Sequence, residues 1–394
     1  MDTLIHDVRF TVRSMVRRPL FRVVAVLILA LGLGATISVF TYLNGFNRTF
    51  PGADPEGLVQ IFGANESNQF MDVSYLDYLD YAESSRSFEG VGAVQAYYAA
   101  SVRLEELTVV AFLNAVAGDY FRVLGVRPAV GRLLTAEDDR PDAEPAAVIS
   151  HEWWQSQFAG DPSVIGTILY LNYRPHTVVG VASPEFVGSA SDSRPHVWIP
   201  VASFRDRYVS WDQMARNRDI PLVRVYGRLS DGVSSSRATD DLMRVAGGLD
   251  EAYPPPEFPR QVRVQSATWI DPRARMAESS TNRIILFAAG GFLILVCANV
   301  ANLLLSVFST RKKEVALQAA LGASRARLGR RVLIENLIMA ALAGGLALLI
   351  AVPASSRLGS YFSRPSVWGE TVSREFVLDL RVVGFAVGIS LLTG

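Results

Sequence analysis

Residues 284–308 read IILFAAGGFLILVCANVANLLLSVF and contain no charged side chain over 25 positions. At about 1.5 Å of rise per residue, a helix of this length crosses a hydrocarbon layer of roughly 30 Å. The cations Arg311, Lys312 and Lys313 follow directly, and further arginines precede the next apolar run. Because lysine and arginine are enriched in cytoplasmic loops, we expect the segment between these two apolar runs on the cytoplasmic side of a membrane.

Further apolar runs lie before and after this segment and also indicate membrane helices. We predict transmembrane helices at 20–43, 283–308 and 331–352, because each run is long enough to span a bilayer. The run at 381–394 is too short to cross as a helix, and we interpret it as the start of a fourth helix in a longer, truncated protein. The alternative is a terminus that lies on the membrane surface. Residues 353–380 are predicted to form an extracytoplasmic loop.

Residues 1–18 are predicted to form a cytoplasmic amphipathic helix. Apolar side chains recur on one face, at Leu4, Val8, Val12 and Met15. Arginines recur on the neighbouring face, where they can meet anionic lipid headgroups, at Arg9, Arg13 and Arg17. A cleaved signal peptide is the alternative. The apolar run 23–40 is longer than a usual signal core and no A-x-A-like site follows it, which favours an uncleaved anchor.

Residues 44–282 have the mixed composition of a globular domain, and the positions of the flanking spans place this domain outside the cytoplasm. Short strand-like runs are predicted at 107–110, 146–149, 177–181, 197–200, 222–226 and 262–264. Helical patterns are predicted at 73–81, 151–158 and 236–249. The predicted fold class is therefore an α-helical membrane protein with a large inserted α+β extracytoplasmic domain, divided into two lobes.

The overall composition argues against a soluble enzyme. The 394 residues carry 38 basic and 38 acidic side chains, half of the residues are hydrophobic, and the mean hydropathy is 0.23. Much of this apolar content is concentrated in runs too uniform for an ordinary soluble core. The single cysteine, Cys297, excludes an intramolecular disulfide, and we expect it to be a small buried core residue.

Catalytic and cofactor-binding patterns are missing from the sequence. No G-x-x-x-x-G-K-[ST] loop occurs, so any ATP hydrolysis is expected on a partner subunit. No G-x-S-x-G elbow occurs, and the four histidines lack metal-ligand spacing. The acidic residues 137–139 lie among turn residues and are interpreted as a solvated loop. We predict no catalytic, cofactor-binding or metal-binding residue, no enzymatic activity and no nucleic-acid partner.

The cytoplasmic loop 309–330 is predicted to dock on another protein. A short helix with an apolar edge, ended by a glycine, suits insertion into a groove of a cytoplasmic protein. The predicted coupling residues are Arg311, Lys312, Lys313, Glu314, Leu317, Leu321, Gly322 and Arg325. A helix lying flat on anionic lipid is the alternative.

Weakly polar and small residues within the spans are predicted to pack helices together. Asn299 and Asn302 lie three positions apart, and Gly344 and Gly345 permit close approach of backbones. Amides in hydrocarbon take partners across helices, so we expect these residues between spans or between subunits.

Several stretches resemble the permease subunits of macrolide-exporter-type ABC transporters, MacB-like and FtsX-like, over nearly the whole chain. They are LALGLGA at 29–35, YFRVLGVRP at 120–128, GR at 131–132, VVGVA at 178–182, ANVANLLL at 298–305 and EVALQAALGASR at 314–325. The pattern is similar to a subgroup of duplicated orphan permeases. The resemblance implies four spans with a large outer domain after the first, and a coupling element at 311–325. Gln318 stands where an arginine is common in that subgroup.

The resemblance also implies a function. ATP hydrolysis by a separate cytoplasmic ATPase would push the coupling helix, tilt the spans and change the outer domain, which would export or extract a lipid, lipoprotein, peptide or drug. A second permease half, fused or supplied by a second copy, would complete the transporter in the cytoplasmic membrane, and the spans would contact membrane lipids. The alternatives are an envelope signalling or scaffold protein that regulates a periplasmic or cell-surface partner, and a membrane-anchored hydrolase.

Overall fold

The computed structural model describes residues 19–45, 50–104, 107–140, 142–190, 194–203, 216–255, 259–269, 271–273, 280, 283–302, 305, 325–362 and 379–393. The chain divides into two compact units. The membrane unit comprises residues 1–46 and 275–394, and the outer unit comprises residues 47–274.

The described helices and strands are numbered in chain order. The helices are α1 (Pro19–Gly45), α2 (Tyr75–Ser84), α3 (Tyr120–Leu124), α4 (His151–Phe158), α5 (Ser235–Ala252), α6 (Arg283–Asn302), α7 (Arg325–Phe362) and α8 (Leu380–Thr393). The strands are β1 (Leu58–Ala64), β2 (Phe88–Leu104), β3 (Leu107–Gly118), β4 (Pro128–Gly131), β5 (Ala146–Ile149), β6 (Ile168–Leu171), β7 (Arg174–Ala182), β8 (Val197–Pro200), β9 (Arg224–Leu229) and β10 (Gln261–Ser266).

Among the described residues of the membrane unit, three helices are long and apolar enough to cross a bilayer. Their apolar segments are Val23–Gly45, Arg283–Asn302 and Leu333–Ala351, which match the three predicted spans in position. The shorter apolar helix Leu380–Thr393 lies where the start of a fourth span was predicted. The hydroxyls of Thr36, Ser38 and Thr41 donate to carbonyls one turn back in α1, so these groups are satisfied within their own helix.

The membrane unit packs through small residues on facing helices. A Cβ added at Gly32 in α1 would lie 2.8 Å from methyl carbons of Val296 in α6. A Cβ at Gly34 would lie 3.4 Å from the carbonyl oxygen of Ala347 in α7. The two glycines of the LALGLGA stretch therefore allow α1 to approach both neighbouring helices closely.

The outer unit is built on one ten-stranded sheet among the described residues, in the order β10-β1-β9-β2-β3-β8-β5-β7-β4, with β6 joining β2 to β7. The pairings close six strands into a ring, β2-β3-β8-β5-β7-β6 and back to β2. The 17-residue β2 makes this possible, because one edge pairs with β9 through its first half and with β6 near its end. The outer unit thus combines a barrel with an open extension of the same sheet.

Two apolar clusters lie on opposite faces of the barrel strands. Ala147 and Ile149 of β5 belong to the first cluster, whereas Ala146 and Val148 belong to the second. β5 and β8 are buried on both faces, which explains why AAVI and VWIP are continuous apolar runs rather than alternating ones.

Most of the predicted elements of this region are present, with shifted ends. The strands predicted at 146–149 and 197–200 match β5 and β8, whereas the run predicted at 107–110 continues to Gly118 in β3. Three helices begin at serine caps, since Ser74, Ser150 and Ser234 each accept a hydrogen bond from the backbone N–H three residues on. Because one sheet runs through the whole outer unit, its division into two lobes stays a prediction.

Candidate functional site

The predicted coupling residues lie almost entirely outside the described residues. Arg311, Lys312, Lys313, Glu314, Leu317, Leu321 and Gly322 all fall in the gap between positions 305 and 325. Arg325 is the first residue of α7. Their role therefore stays a prediction. α7 itself runs without interruption from Arg325 to Phe362.

The predicted packing residues behave differently from one another. Gly344 is buried, and a Cβ there would lie 2.5 Å from the hydroxyl oxygen of Ser390 in α8, so this glycine seats α8 against α7. A Cβ added at Gly345 would meet no described atom within 4 Å, so close helix approach does not require this glycine. Asn299 and Asn302 are exposed on α6, so packing within the described part of this chain does not use them, and a contact with another subunit stays a prediction.

A hydrogen bond joins the end of α1 to the start of α8, across 335 positions of sequence. The side-chain nitrogen of Asn44 donates to Oδ2 of Asp379 over 2.7 Å. The other carboxylate oxygen, Oδ1, accepts from the backbone N–H of Val382 over 2.9 Å and caps α8. A carboxylate at a helix N-terminus also interacts favourably with the helix dipole. The Asp379 side chain therefore caps α8 and also holds it against α1, and we call this contact the Asn44 to Asp379 clamp. The aromatic rings of Phe40 in α1 and Phe385 in α8 stack with their centroids 4.0 Å apart.

Asp379→Ala is expected to destabilise the membrane unit by about 2 kcal/mol, because it removes both a helix cap of about 1 kcal/mol and a charge-assisted hydrogen bond. The measurement is the midpoint of thermal unfolding of the purified chain in detergent. Asp379→Asn is the matched control, since asparagine also caps helices well and can still accept from Asn44. Equal midpoints for the alanine variant and the wild type would contradict the proposed clamp.

An ion-pair network fastens several elements of the outer unit to one another. Asp77, on α2, binds two arginines: Nη1 of Arg218 lies 2.6 Å from one oxygen, and Nε of Arg260 lies 3.0 Å from the other. Arg218 also reaches Asp80, and Arg260 also reaches Asp250 of α5, each at 2.6 Å. Burial alone would lower the arginine pKa values, but these carboxylates raise the pKa of both guanidinium groups above the ordinary value. The network links α2, α5 and the start of β10.

The acidic residues 137–139 correct the expectation of a solvated loop. Only Glu137 is exposed. Asp138 is buried and accepts two hydrogen bonds of 2.7 Å from the Arg132 guanidinium, and these help to hold the pKa of its carboxyl below the ordinary value despite burial. Asp139 accepts from the backbone N–H groups of Ala202 and Gly118, and burial raises the pKa of its carboxyl to about 6. These carboxylates fasten the turn after β4 to the ends of β3 and β8.

Three of the stretches that carry the family resemblance, YFRVLGVRP, GR and VVGVA, meet in one corner of the outer unit. β4 pairs with β7 so that Gly131 faces Gly180. Phe121 and Ala182 belong to one apolar cluster, in which the ring of Phe121 lies 5.7 Å from Trp198 and 6.0 Å from Phe186, with all three aromatic side chains almost fully buried. The backbone N–H of Ser183 donates to the carbonyl oxygen of Arg127, which joins the end of VVGVA to YFRVLGVRP. The residues of YFRVLGVRP, GR and VVGVA therefore form one packed unit rather than three separate motifs.

Comparison with protein families assigns both parts of the chain. Residues 23–245 match the model of the MacB-like periplasmic core domain, and residues 286–394 match the model of the FtsX-like permease C-terminal region. The chain belongs to the MacB-like and FtsX-like ABC permease family. The permease is accordingly a membrane protein with an extracytoplasmic domain, and the sequence-based prediction of the family is confirmed.

Curated relatives of the permease are macrolide export ATP-binding/permease proteins named MacB. The protein of Hahella chejuensis is 25% identical over 265 residues, which cover 66% of this chain and 37% of the relative. The proteins of Shewanella oneidensis and Escherichia coli K12 are 22% and 24% identical, over 74% and 64% of this chain and 41% and 36% of the relative. The chain thus spans about two fifths of the length of the curated relatives it matches.

Two solved structures show limited similarity to the chain. The periplasmic region of MacB from Actinobacillus actinomycetemcomitans is 18% identical, covers 58% of this chain and 94% of its own, and has a TM-score of 0.41. A domain of a putative permease protein from Porphyromonas gingivalis is 16% identical, covers 60% of this chain and 99% of its own, and has a TM-score of 0.44.

Neither the Asn44 to Asp379 clamp nor the Asp77 network was predicted from the sequence. An aspartate directly before an apolar run is a helix-start signal, so the capping role of Asp379 was open to prediction. Its partner was not, because nothing in local sequence relates positions 44 and 379. The same holds for Asp77, whose arginine partners lie 141 and 183 positions away.

Proposed function

We propose that this permease is the membrane subunit of an ABC transporter and couples ATP hydrolysis on a separate cytoplasmic ATPase to conformational work by its outer unit. The chain itself is noncatalytic in this proposal and holds no cofactor, since ATP binds the partner. A second permease half, fused in a longer chain or supplied by a second copy, completes the assembly in the cytoplasmic membrane. The work is export or extraction of an envelope substrate.

The observation that carries this proposal is the order of the two family regions in one chain. The match to the periplasmic core domain begins within α1, and the match to the FtsX-like region begins within α6. The outer unit is therefore inserted between the first two candidate spans and connected to a membrane helix at each end. A domain held in this way receives any relative displacement of the two helices at both of its ends.

The helices of the membrane unit supply a mechanical route from the coupling loop. α7 starts at Arg325, the last predicted coupling residue, and continues as one helix to Phe362. It packs against α1 near Gly34 and against α8 at Gly344. A rigid helix pushed at its first turn transmits that displacement along its length. In this proposal the movement passes from α7 to α1, whose end is also held by the hydrogen bond between Asn44 and Asp379. The end of α1 leads directly into the outer unit, which begins at residue 47.

The proposed cargo classes are lipid, lipoprotein, peptide and drug. The curated relatives are named as macrolide exporters, which supports the drug class. Because the proposed route is mechanical, the substrate needs no path between the spans.

Replacing Leu317 and Leu321 together by aspartate is expected to abolish binding of the ATPase, since two buried carboxylates cannot enter an apolar groove without a large desolvation penalty. The measurement is copurification of the ATPase with the tagged full-length permease from its own membranes, quantified by mass spectrometry. The expected loss is tenfold or more, which corresponds to about 1.4 kcal/mol.

The matched control places the same two substitutions on exposed apolar residues of the outer unit. Val110 and Tyr173 are 64% and 86% exposed, so Val110→Asp with Tyr173→Asp adds the same charge without touching the coupling loop. This variant is expected to retain the ATPase fully. Undiminished recovery of the ATPase with the Leu317 and Leu321 variant would refute the proposed coupling element. Loss of the ATPase with both variants would show that added charge alone, and not the coupling loop, controls copurification.

A further inference from the structure

A cleft of about 410 Å³ lies in the outer unit between the end of β1, the first turns of α2 and the segments that lead into β9 and β10. Isolated backbone bridges join Gly63 to Met71 and Val73 to Val223, which brings these segments together. The apolar part of the lining comes from Met71, Val73, Pro221, Pro255 and Pro259. The volume lies within the roughly 300–1,000 Å³ that is usual for small-ligand pockets.

The polar groups that remain free in this cleft are hydrogen-bond donors. Arg218 donates from Nη1 to Asp77 and Asp80, and no described residue accepts from its Nε or Nη2. Arg260 donates from Nε and Nη1, and no described residue accepts from its Nη2. The two side chains are only 16% and 11% exposed, yet none of these unpaired nitrogens is fully buried. Donors that the ion-pair network holds in place are therefore accessible to a ligand.

The guanidinium group of Arg218 is fixed on two sides. Its Nη1 lies 2.6 Å from a carboxylate oxygen of Asp77 and 2.6 Å from one of Asp80. Its Cζ lies over the ring of Tyr253, 4.4 Å from the ring centroid. The side formed by Nε and Nη2, which we call the open edge of Arg218, presents parallel N–H groups that suit oxygen acceptors.

Tyr81 adds another donor. This residue lines the cleft and is 3% exposed. Its hydroxyl has no hydrogen-bond partner among the described residues but keeps some accessible surface, so it opens onto the cleft. Burial raises the pKa of the Tyr81 hydroxyl above the ordinary value, so the group stays protonated and can donate.

The charge balance of the cleft is negative. The guanidinium groups of Arg218 and Arg260 face a larger number of carboxylates, those of Asp77, Asp80 and Asp250. Asp219 also lines the cleft, is exposed and has no ion-pair partner within the described ranges. The carboxylate of Asp72, a further lining residue, is bound by Arg273. An anionic ligand is therefore repelled, and the free donors favour neutral acceptors such as carbonyl oxygens.

We propose that this cleft binds a short extended peptide segment that carries a lysine or arginine side chain. Backbone carbonyl oxygens of the peptide accept from the open edge of Arg218, from Nη2 of Arg260 and from the hydroxyl of Tyr81. The cationic side chain lies at Asp219, and a neighbouring apolar side chain packs on the proline-lined wall. The proposal does not depend on the ATPase-coupling function, and the binding assay that tests it contains no ATPase.

The test is calorimetric titration of the full chain in phosphatidylcholine nanodiscs, with empty nanodiscs as the blank. The probes are acetyl-alanyl-lysyl-alanyl-leucine amide, the same peptide with glutamate in place of lysine, and butylamine, which has a cation but no carbonyl group. The lysine peptide is expected to bind at least about tenfold more tightly than either of the other probes.

Two substitutions remove donors from the cleft. Tyr81→Phe keeps the ring and is expected to weaken binding of the lysine peptide about fivefold, the value of one net hydrogen bond. It is expected to leave the unfolding midpoint unchanged, because the hydroxyl bonds no described residue. Arg218→Lys keeps a positive charge beside Asp77 and Asp80 but lacks the open edge, so it is expected to weaken binding about tenfold or more.

The rim charge is tested separately. Asp219→Asn is expected to reduce the preference for the lysine peptide over the glutamate peptide about threefold or more. Asp231→Asn is the matched control, since Asp231 is exposed in the turn after β9 and does not line the cleft. This control is expected to leave the preference unchanged.

Binding of the lysine peptide that survives both Tyr81→Phe and Arg218→Lys would place the peptide outside this cleft and overturn the proposal. If Arg218→Lys does not fold, Tyr81→Phe still decides the question. Equal binding of the lysine peptide and either other probe, or no binding of any probe at millimolar concentration, would overturn the assigned ligand class.

Discussion

Gly180→Ala is expected to destabilise the outer unit strongly. A Cβ at this position would lie 1.8 Å from the carbonyl oxygen of Arg132, which is less than any non-bonded contact allows. The obstacle is backbone, so no side-chain rotation can relieve it. β4 would have to separate from β7, which pair at this point, and the backbone hydrogen bond from Arg132 to Val179 would be lost with the pairing.

The expected cost of Gly180→Ala is 3 kcal/mol or more, above the roughly 1–3 kcal/mol of ordinary overpacking, because strand pairing is lost as well. The measurement is chemical unfolding of the purified chain, followed by tryptophan fluorescence, since the outer unit contains the buried Trp198. Gly248→Ala is the matched control. A Cβ there meets nothing within 4 Å, and alanine in the helix α5 is expected to stabilise by about 0.5–1 kcal/mol. An unchanged unfolding curve for Gly180→Ala would show that β4 does not approach β7 as described.

This corner also explains what the family motifs do physically. Gly131 has a φ of +71°, and a Cβ there would lie 2.4 Å from the carbonyl oxygen of Val179. Gly131 and Gly180 therefore let two backbones approach each other, one from each motif. Both motifs are recognisable in the sequence by resemblance. Their contact is visible only in the structure, because strand pairing between positions 131 and 180 leaves no local signal.

The predictability of the fold differs between the two units for a physical reason. A membrane span is specified by one continuous apolar run, so local sequence located all three candidate spans. No strand was predicted over β2, because its sequence FEGVGAVQAYYAASVRL is rich in alanine and glycine, which have low strand propensity. β2 is a strand because β3, β9 and β6 pair with it, and those contacts are non-local.

The candidate site shows the same limit. Asn44, Asp379 and Asp77 take their roles from partners that the fold brings together. His176 was interpreted as an ordinary histidine because it lacks metal-ligand spacing. Its side chain is buried and its Nε2 has no hydrogen-bond partner among the described residues, which no spacing rule detects.

Asp77→Asn is expected to destabilise the outer unit by about 3 kcal/mol. Asp77 is 6% exposed and supplies negative charge to two arginines whose side chains are only 16% and 11% exposed. Removing one partner from a buried ion pair typically costs about 3–5 kcal/mol, and the lower end applies here because Arg218 keeps Asp80 and Arg260 keeps Asp250. The unfolding midpoint should fall by roughly 6–12 °C.

Asp80→Asn separates the effect of burial from that of charge in this network. It removes the same charge from the same helix. The Asp80 side chain is 32% exposed, and its one ion-pair partner within the described ranges is Arg218, so the cost is expected at about 1 kcal/mol or less. Asp77 contacts both Arg260, which directly precedes β10, and Arg218, which precedes β9. Asp80 contacts Arg218. Asp77→Asn therefore weakens the attachment of α2 to two segments, and Asp80→Asn weakens it to one. Equal midpoints for both variants would show that Asp77 is not the centre of the network. A larger loss for Asp77→Asn would identify it as the contact that fastens α2 to the edge strand β10, through which the chain leaves the sheet toward α6.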